Sequence, residues 1–460
     1  MKKHSVLLKE DKCEGCTNCV KNCPTKAIRV HQGKAKIKED LCIDCAECIR
    51  TCEYHAKYTE TNTIKETEEY EFSCALIPPS FYGQFNEKID INKIYKGLKI
   101  AGFSGVFDVA MAAEAISQKT KKFLAENDGP YISSSCPVVV RLVKLIFPEL
   151  LENLVPIKSP VELMAEKVKR EVSKKENVAK DKVGVFFITP CPAKLTTVEN
   201  PLGQEKSFLD GAISVEKIYN KLLDIMDEYD LQEKMAEDEN DYEERPYLGI
   251  SWGQSGGEEE ILNDYDERDT ISVSDIKEVK GILEEISRDN IRGIKYFELV
   301  SCPQGCVGGV LNVNNSYQAK YNIKKLVEKY RNESPEKLIV DQDFSAYNYK
   351  LSQKFKATDV AKLDEDLDKA MEKLTAIEKE IEILPGLDCA ACGAPDCETL
   401  AEDIVNGQAQ RTDCVFMLRK RVGDLADEMS TLAHELPPVM SEDSSEESEV
   451  DSDNETKEDN

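Results

Sequence analysis

The chain has 460 residues, 60 of them basic and 88 acidic, for a formal net charge of −28. A surface of that sign excludes nucleic acid as the expected partner, because phosphate binding needs a basic face. The 17 cysteines fall largely in C-x2-C runs, which read as metal ligands in a reducing compartment rather than as disulfides.

At the N-terminus, M-K-K-H-S-V-L-L-K-E holds too short an apolar run for a signal peptide. No later stretch approaches the roughly 18–20 apolar residues of a membrane span, so a soluble, cytoplasmic protein is expected. Residues 1–58 then repeat one spacing. Cys13, Cys16, Cys19 and Cys23 follow C-x2-C-x2-C-x3-C before Pro24; Cys42, Cys45, Cys48 and Cys52 repeat it, with Glu53 where proline is usual. This is the arrangement of bacterial two-cluster ferredoxins, in which the fourth cysteine of each run ligates the other cluster. By that rule Cys13, Cys16, Cys19 and Cys52 hold one [4Fe–4S] cluster, and Cys42, Cys45, Cys48 and Cys23 hold the second. Three close thiolates wrap one side of a cube, and the distant fourth staples two halves of a small fold. R-V-H-Q-G-K-A-K-I between the runs reads as a β-hairpin across residues 31–33. A zinc ribbon is the alternative, though zinc sites seldom use a doubled four-cysteine run. His55 finds all eight ligand positions taken and reads as a surface residue.

Residues 59–71 form a charged linker. F-S-C-A-L-I from Phe72 has the apolar run of a buried strand, with Cys74 as a small core hydrophobe outside any motif. Residues 93–108 read as helix, turn and strand, and 109–125 as helix. The run 183–188 is a strand leading to Cys191, 213–223 a helix after a turn, and 294–300 a strand delivering Cys302. This alternation implies an α/β fold, α+β over the whole chain. The parts expected are a ferredoxin-like N-terminal domain, a two-lobed α/β domain over 72–350 with mostly parallel sheets, and a small C-terminal iron–sulfur domain. Such sheets bind ligands at the carboxyl ends of strands, where Cys136, Cys191 and Cys302 fall. The acidic stretch 224–244 reads as a solvated helix or loop.

Three segments of the middle region place cysteine beside proline: S-S-S-C-P at 133–137, T-P-C-P-A-K at 189–194 and E-L-V-S-C-P-Q-G-C-V-G-G-V at 298–310. They supply Cys136, Cys191, Cys302 and Cys306, the four thiolates an iron–sulfur cube requires. The segments resemble the three signatures of the [FeFe] hydrogenase family, commonly T-S-C-C-P, M-P-C-x-x-K and E-x-M-x-C-x-x-x-C-x-G-G. P-P-S at 78–80, K-S-P-V-E-L-M at 158–164 and G-Q-S-G-G-E at 253–258 also resemble family segments, in the family's order.

The resemblance implies an H-cluster, a [4Fe–4S] cube joined through one cysteine to a diiron unit carrying CO, cyanide and an azadithiolate bridge. Carried over by motif, Cys136, Cys191, Cys302 and Cys306 hold the cube and Cys306 bridges to the diiron unit. Lys194 and Ser80 match the donors to its two cyanides, and a charge-assisted donor suits an anionic ligand. The departures matter as much. The family's proton-relay cysteine is Ser135, whose hydroxyl is a far weaker acid than a thiol of pKa about 8.5. The two flanking methionines are Thr189 and Val300, and an ungapped alignment puts the relay glutamates at Thr120 and Phe123. The tryptophan after the first signature is absent at 137–139. Loss of a positioned proton donor costs about 10²–10⁴ in rate, which a sensor tolerates better than a gas-flux enzyme. The sequence is therefore identified with the sensory branch, binding and slowly turning over H2 and passing electrons through up to three accessory clusters. Its implied partners are H2, protons, a redox protein such as ferredoxin, and a signalling partner. Two alternatives stay open: a ferredoxin-linked catalytic hydrogenase, and a non-catalytic iron–sulfur assembly or electron-carrier protein.

Residues 363–384 have apolar positions at helical spacing and read as a linker helix, stopped by Pro385 and Gly386. Cys389, Cys392, Cys397 and Cys414 follow within 385–420. Their segment resembles the small [4Fe–4S] domain of electron-transfer subunits of membrane redox complexes and of sensory [FeFe] hydrogenases; zinc is the alternative. From 441 to 460 the chain is dense in like charge and reads as a disordered acidic tail.

Overall fold

The computed structural model describes residues 4–86, 89–228, 247–265, 269–333, 344–358, 363–364 and 366–435. The 441–460 tail and most of the acidic 224–244 stretch lie outside the described residues. Four strands precede residue 60: β1 (Val6–Leu8), β2 (Ile28–His31), β3 (Lys34–Ile37) and β4 (Lys57–Thr59). They form two antiparallel ribbons, β1 with β4 and β2 with β3, the latter pairing Val30 with Ala35. Gln32 and Gly33 close the hairpin with φ of 50° and 73°, the two positive values a tight two-residue turn requires.

The middle of the chain contributes β5 (Phe72–Ile77), β6 (Gly105–Asp108), β7 (Tyr131–Ile132), β8 (Val183–Thr189), β9 (Gly211–Ser214), β10 (Thr270–Ser274) and β11 (Tyr296–Val300). Two parallel sheets result, ordered β6-β5-β8-β9 and β10-β11-β7. Every residue of β8 is buried, as expected of a central strand covered on both faces. Alternation along it sends Phe186 and Ile188 into one core and Val185 and Phe187 into another. Cys74 joins the second of these cores, and burial pushes its thiol up to about 12. The helix expected over 213–223 starts later: Ile213 and Ser214 end β9, in register with Ile188 and Thr189, and the helix runs Val215–Glu228. A four-residue strand running straight into a helix leaves no turn for the sequence pattern to mark.

The ferredoxin-like segment is seated on the sheet region. Ile43 packs in the same core as Ile132, Val138 and Phe297, and the buried Asp44 carboxylate accepts from Thr196 Oγ1 (2.6 Å) and Arg141 (3.3 Å). Near the other end, Leu367–Ile383 is helical from its Asp366 cap. Through Ile377 and Leu384 it shares a core with Leu400 and Ala401 of helix Cys397–Val405. This helix is thus packed into the C-terminal module instead of merely leading to it. A last helix, Val415–His434, continues past the expected 385–420 module. No described helix is long and apolar enough to cross a membrane.

Candidate functional site

The carboxyl ends of β5, β7, β8 and β11 open onto one cavity. Ser80, Ser135, Cys136, Cys191, Lys194, Cys302 and Cys306 all line it. Cys136 and Cys191 each cap a helix, Pro137–Ile146 and Pro192–Glu199, with proline at the first helical position. Proline there loses no hydrogen bond and fixes the entry angle. It also aims the helix N-terminus at the sulfur, where N–H groups and the helix dipole favour negative charge.

Cys302 and Cys306 bracket a loop whose backbone crosses residues 254–255. Ser255 N donates to Gln304 O (2.9 Å), and Gly305 sits at φ +95°, where a Cβ would come within 2.3 Å of Ser255 N. Gly309 approaches Pro190 so closely that a Cβ would lie 2.3 Å from its carbonyl oxygen. Glycine at both positions lets the Cys302–Cys306 loop meet the Cys191 turn. Thr189 secures that turn, its hydroxyl donating to Cys191 O (2.8 Å).

Desolvation pushes the Cys191 thiol up to about 11, against the backbone N–H groups of Lys194 and Ala193. Cys302 is driven well above its ordinary value by burial and by Cys191 and Cys306. Cys306 exposes its sulfur to the cavity, yet the surrounding protein raises it to about 12, with Cys191 and Cys136 adding. Cys191, Cys302 and Cys306 would ionise together only around a cationic centre, and with Cys136 on the same cavity wall the donor set fits an iron–sulfur cube.

Two polar groups face the same space. The Ser80 hydroxyl is fully buried and its oxygen has no hydrogen-bond partner among the described residues, which is costly for a group taken out of water. Lys194 Nζ donates to Ser135 O (3.2 Å), one bond among the described residues for an ammonium with three donors.

Sequence reasoning missed the buried acids. Ser135 Oγ lies 2.9 Å from Ser133 Oγ, which donates to Glu258 (2.8 Å); Tyr296 donates to the other carboxylate oxygen. Burial lifts Glu258 to about 7, against the Tyr296 and Ser133 hydroxyls. Glu298 rises to about 8 through burial and the nearby Glu258, while the N–H groups of Glu259 and Gly256 oppose the shift. Both carboxyls line the cavity. Their segments, 253–258 and 298–310, carry the resemblance; the meeting of Glu258 with Ser133 is what no local pattern shows. Thr120 and Phe123, aligned with the relay glutamates, do not line the cavity: Thr120 is buried and Phe123 packs edge-to-face with Tyr131. Val300 does line it, as does Trp252, the chain's one tryptophan, whose indole donates to Ser117 (3.0 Å).

In the ferredoxin-like segment, Cys13, Cys16, Cys19 and Cys52 line a single pocket. Cys45 is pushed well up by burial, then by Cys23, Cys48 and Cys42. Each of these groups takes three cysteines from one run and one from the other, and His55 is exposed. Cys45 also lines the central cavity, and Arg50 donates to Gly308 O (2.9 Å). Of the last four cysteines, burial raises Cys392, with Cys414 and Cys389 adding, and Cys397 N donates to Asp388. That module docks on β2: Val30 N donates to Gly393 O (2.9 Å), and the buried Arg29 pairs with Asp403.

Three segments of the chain match known families. Residues 71–310 match the family described as iron only hydrogenase large subunit, C-terminal domain. Residues 5–53 match the 4Fe-4S dicluster domain, and 384–416 match an Fe-S cluster family. Iron hydrogenase 1 of Clostridium pasteurianum is 24% identical over 277 residues, covering 51% of this chain and 48% of that protein. The periplasmic [Fe] hydrogenase large subunit of Nitratidesulfovibrio vulgaris is 30% identical over 216 residues, covering 42% and 51%. The chain therefore spans about half the length of the curated relatives it matches. Among solved structures, [FeFe]-hydrogenase HydA1 from Chlamydomonas reinhardtii aligns over 65% of this chain and 98% of its own, at 14% identity and a TM-score of 0.45.

Proposed function

The chain belongs to the iron-only hydrogenase large-subunit family, and on that premise we propose that it binds H2 and slowly interconverts it with protons and electrons at an H-cluster, as a sensor of H2 or redox state. The observation that carries this reading is the Ser80 hydroxyl, fully buried and without a partner among the described residues, beside four thiols and Lys194. A group with anionic terminal ligands suits a buried hydroxyl and an ammonium aimed into one cavity better than a cube alone, whose sulfurs are weaker acceptors. This speaks against the non-catalytic assembly or carrier reading.

Cys136, Cys191, Cys302 and Cys306 would hold the cube, and Lys194 and Ser80 would hold the cyanides of the diiron unit. When bound, that unit supplies the cleavage and formation of the H–H bond. The chain's own part is to exclude water and move protons and electrons. Val161, Phe187, Val300 and Trp252 give the cavity apolar walls. Protons would pass along Ser135, Ser133 and Glu258, whose pKa of about 7 lets the carboxyl both accept and release one near neutral pH. Two serine hydroxyls, weak acids both, make that route slow. Electrons would leave past Cys45 into the ferredoxin-like clusters and on to the C-terminal one.

Infrared spectroscopy of the matured protein tests the cofactor: CO and cyanide bands are expected, and Lys194→Ala should weaken them while leaving cube iron in place. Bands unchanged in that variant would make the lysine structural. Glu258→Gln should lower dye-linked H2 oxidation by about 10²-fold or more, and Ser135→Cys should raise it. Wild-type turnover equal to that of gas-flux hydrogenases would favour the catalytic alternative, the reading that the buried acids Glu258 and Glu298 support.

The acids also carry a pH signature. Both folded-state values, about 7 and about 8, exceed the ordinary 4.5. Their contribution to stability is therefore fully present below about pH 4.5 and is lost as pH rises through 7 to 8. Glu258→Gln should flatten the fall in stability across that window, as read by hydrogen exchange at β11.

A further inference from the structure

The helix Val415–His434 buries no residue. Its apolar side chains Val415, Leu418, Val422, Leu425, Met429 and Leu432 recur three and four residues apart and are 41–71% exposed. That is the a/d spacing of a coiled-coil seam, sustained over the whole helix. A lone helix of this length, with Gly423 at its middle, is marginal in water. The charges are sorted along it: Arg419, Lys420 and Arg421 come first, then Asp424, Asp427 and Glu428.

We propose that this helix pairs antiparallel with the same helix of a second copy of the chain. In that arrangement Val415 meets Leu432, Leu418 meets Met429, and Val422 meets Leu425, each across the seam. All six stripe residues find a partner in one register. The basic stretch of each copy then lies beside the acidic stretch of the other, placing Arg421 near Glu428 twice. A parallel pair would set basic against basic and acid against acid, at a cost in stability. The chain's own 441–460 segment is a poor occupant, because Val450 is its one aliphatic residue. Antiparallel pairing keeps the two Cys414 caps about 28 Å apart along the seam, so each C-terminal module stays open to its own redox partner.

Sedimentation equilibrium of the full chain, iron-loaded and under anaerobic conditions, tests this. A concentration-dependent dimer is expected. Val422→Glu with Leu425→Glu should weaken it by at least about 100-fold, since unpaired charges would enter the seam. Iron content matching wild type separates this from misfolding. Arg421→Glu, on the helix surface, should weaken the dimer, and adding Glu428→Arg should restore it. A wild type that stays monomeric overturns the proposal, as does a dimer indifferent to the seam variant. An Arg421→Glu chain that dimerises as well as or better than wild type overturns the antiparallel pairing.

Discussion

The two halves of the ferredoxin-like segment repeat one cysteine spacing and dock on opposite neighbours. The first half offers β2 to the C-terminal module. There Arg29 pairs with Asp403 in a buried contact, Lys38 reaches the same carboxylate (2.7 Å), and Lys26 bonds Asp396 and Glu398 at the rim. The second half offers residues 43–46 to the central cavity, with Ile43 in the sheet core and Cys45 on the cavity wall. The halves also differ inside. Five residues after the fourth cysteine of each run stand Ile28 and Lys57, each buried to 3% exposure. Lys57 Nζ has no hydrogen-bond partner among the described residues; burial raises the Cys19 thiol to about 11 and the Cys48 thiol to about 12, one from each cluster set, and the Lys57 charge opposes both shifts. A duplicated pattern thus acquires a direction from what each copy touches and from one buried charge.

The largest effect should come from undocking the second half. Asp44→Ala leaves Arg141 buried without its carboxylate, a loss of about 3–5 kcal/mol. Hydrogen exchange should rise across β1 and residues 42–50 while β2 keeps its protection; equal change in both halves would show that they do not dock independently. Asp403→Ala should cost less, about 2–3 kcal/mol, because Arg29 keeps its bonds to the Lys26 and Ile28 carbonyls and Lys38 keeps contact with water. Limited proteolysis should then cut within 385–414 and spare the central sheets; an unaltered cleavage pattern would mean the Val30–Gly393 contact suffices alone. The smallest change is electrostatic. Lys57→Met removes a buried positive charge beside two anionic clusters, so both reduction potentials should fall by tens of millivolts. A redox titration followed by electron paramagnetic resonance reads this directly, and potentials equal to wild type would place the ammonium's charge elsewhere.

The contrast also separates what could be read from the chain alone. Cys13, Cys16 and Cys19 are legible as a ligand set because their spacing limits the reach of three thiols, whatever surrounds them. Cys136 and Cys191 are legible because Cys-Pro at a strand end writes a helix cap into the local sequence. The strand–helix alternation around them gave the parallel sheets, apart from β9, which the following helix hid. Glu258 was different. Its value near 7 depends on Ser133, 125 residues away in the chain, and on burial that no local pattern records. Lys57 looks like any surface lysine until packing removes its water. Asp44 carries no motif at all, yet it receives Ser5, Thr196 and Arg141. By itself the sequence determined which sulfurs can share a metal, because ligand spacing is a covalent constraint. Only the tertiary structure decided which charges stand beside them, because fields and desolvation are set by neighbours that the chain brings together in space.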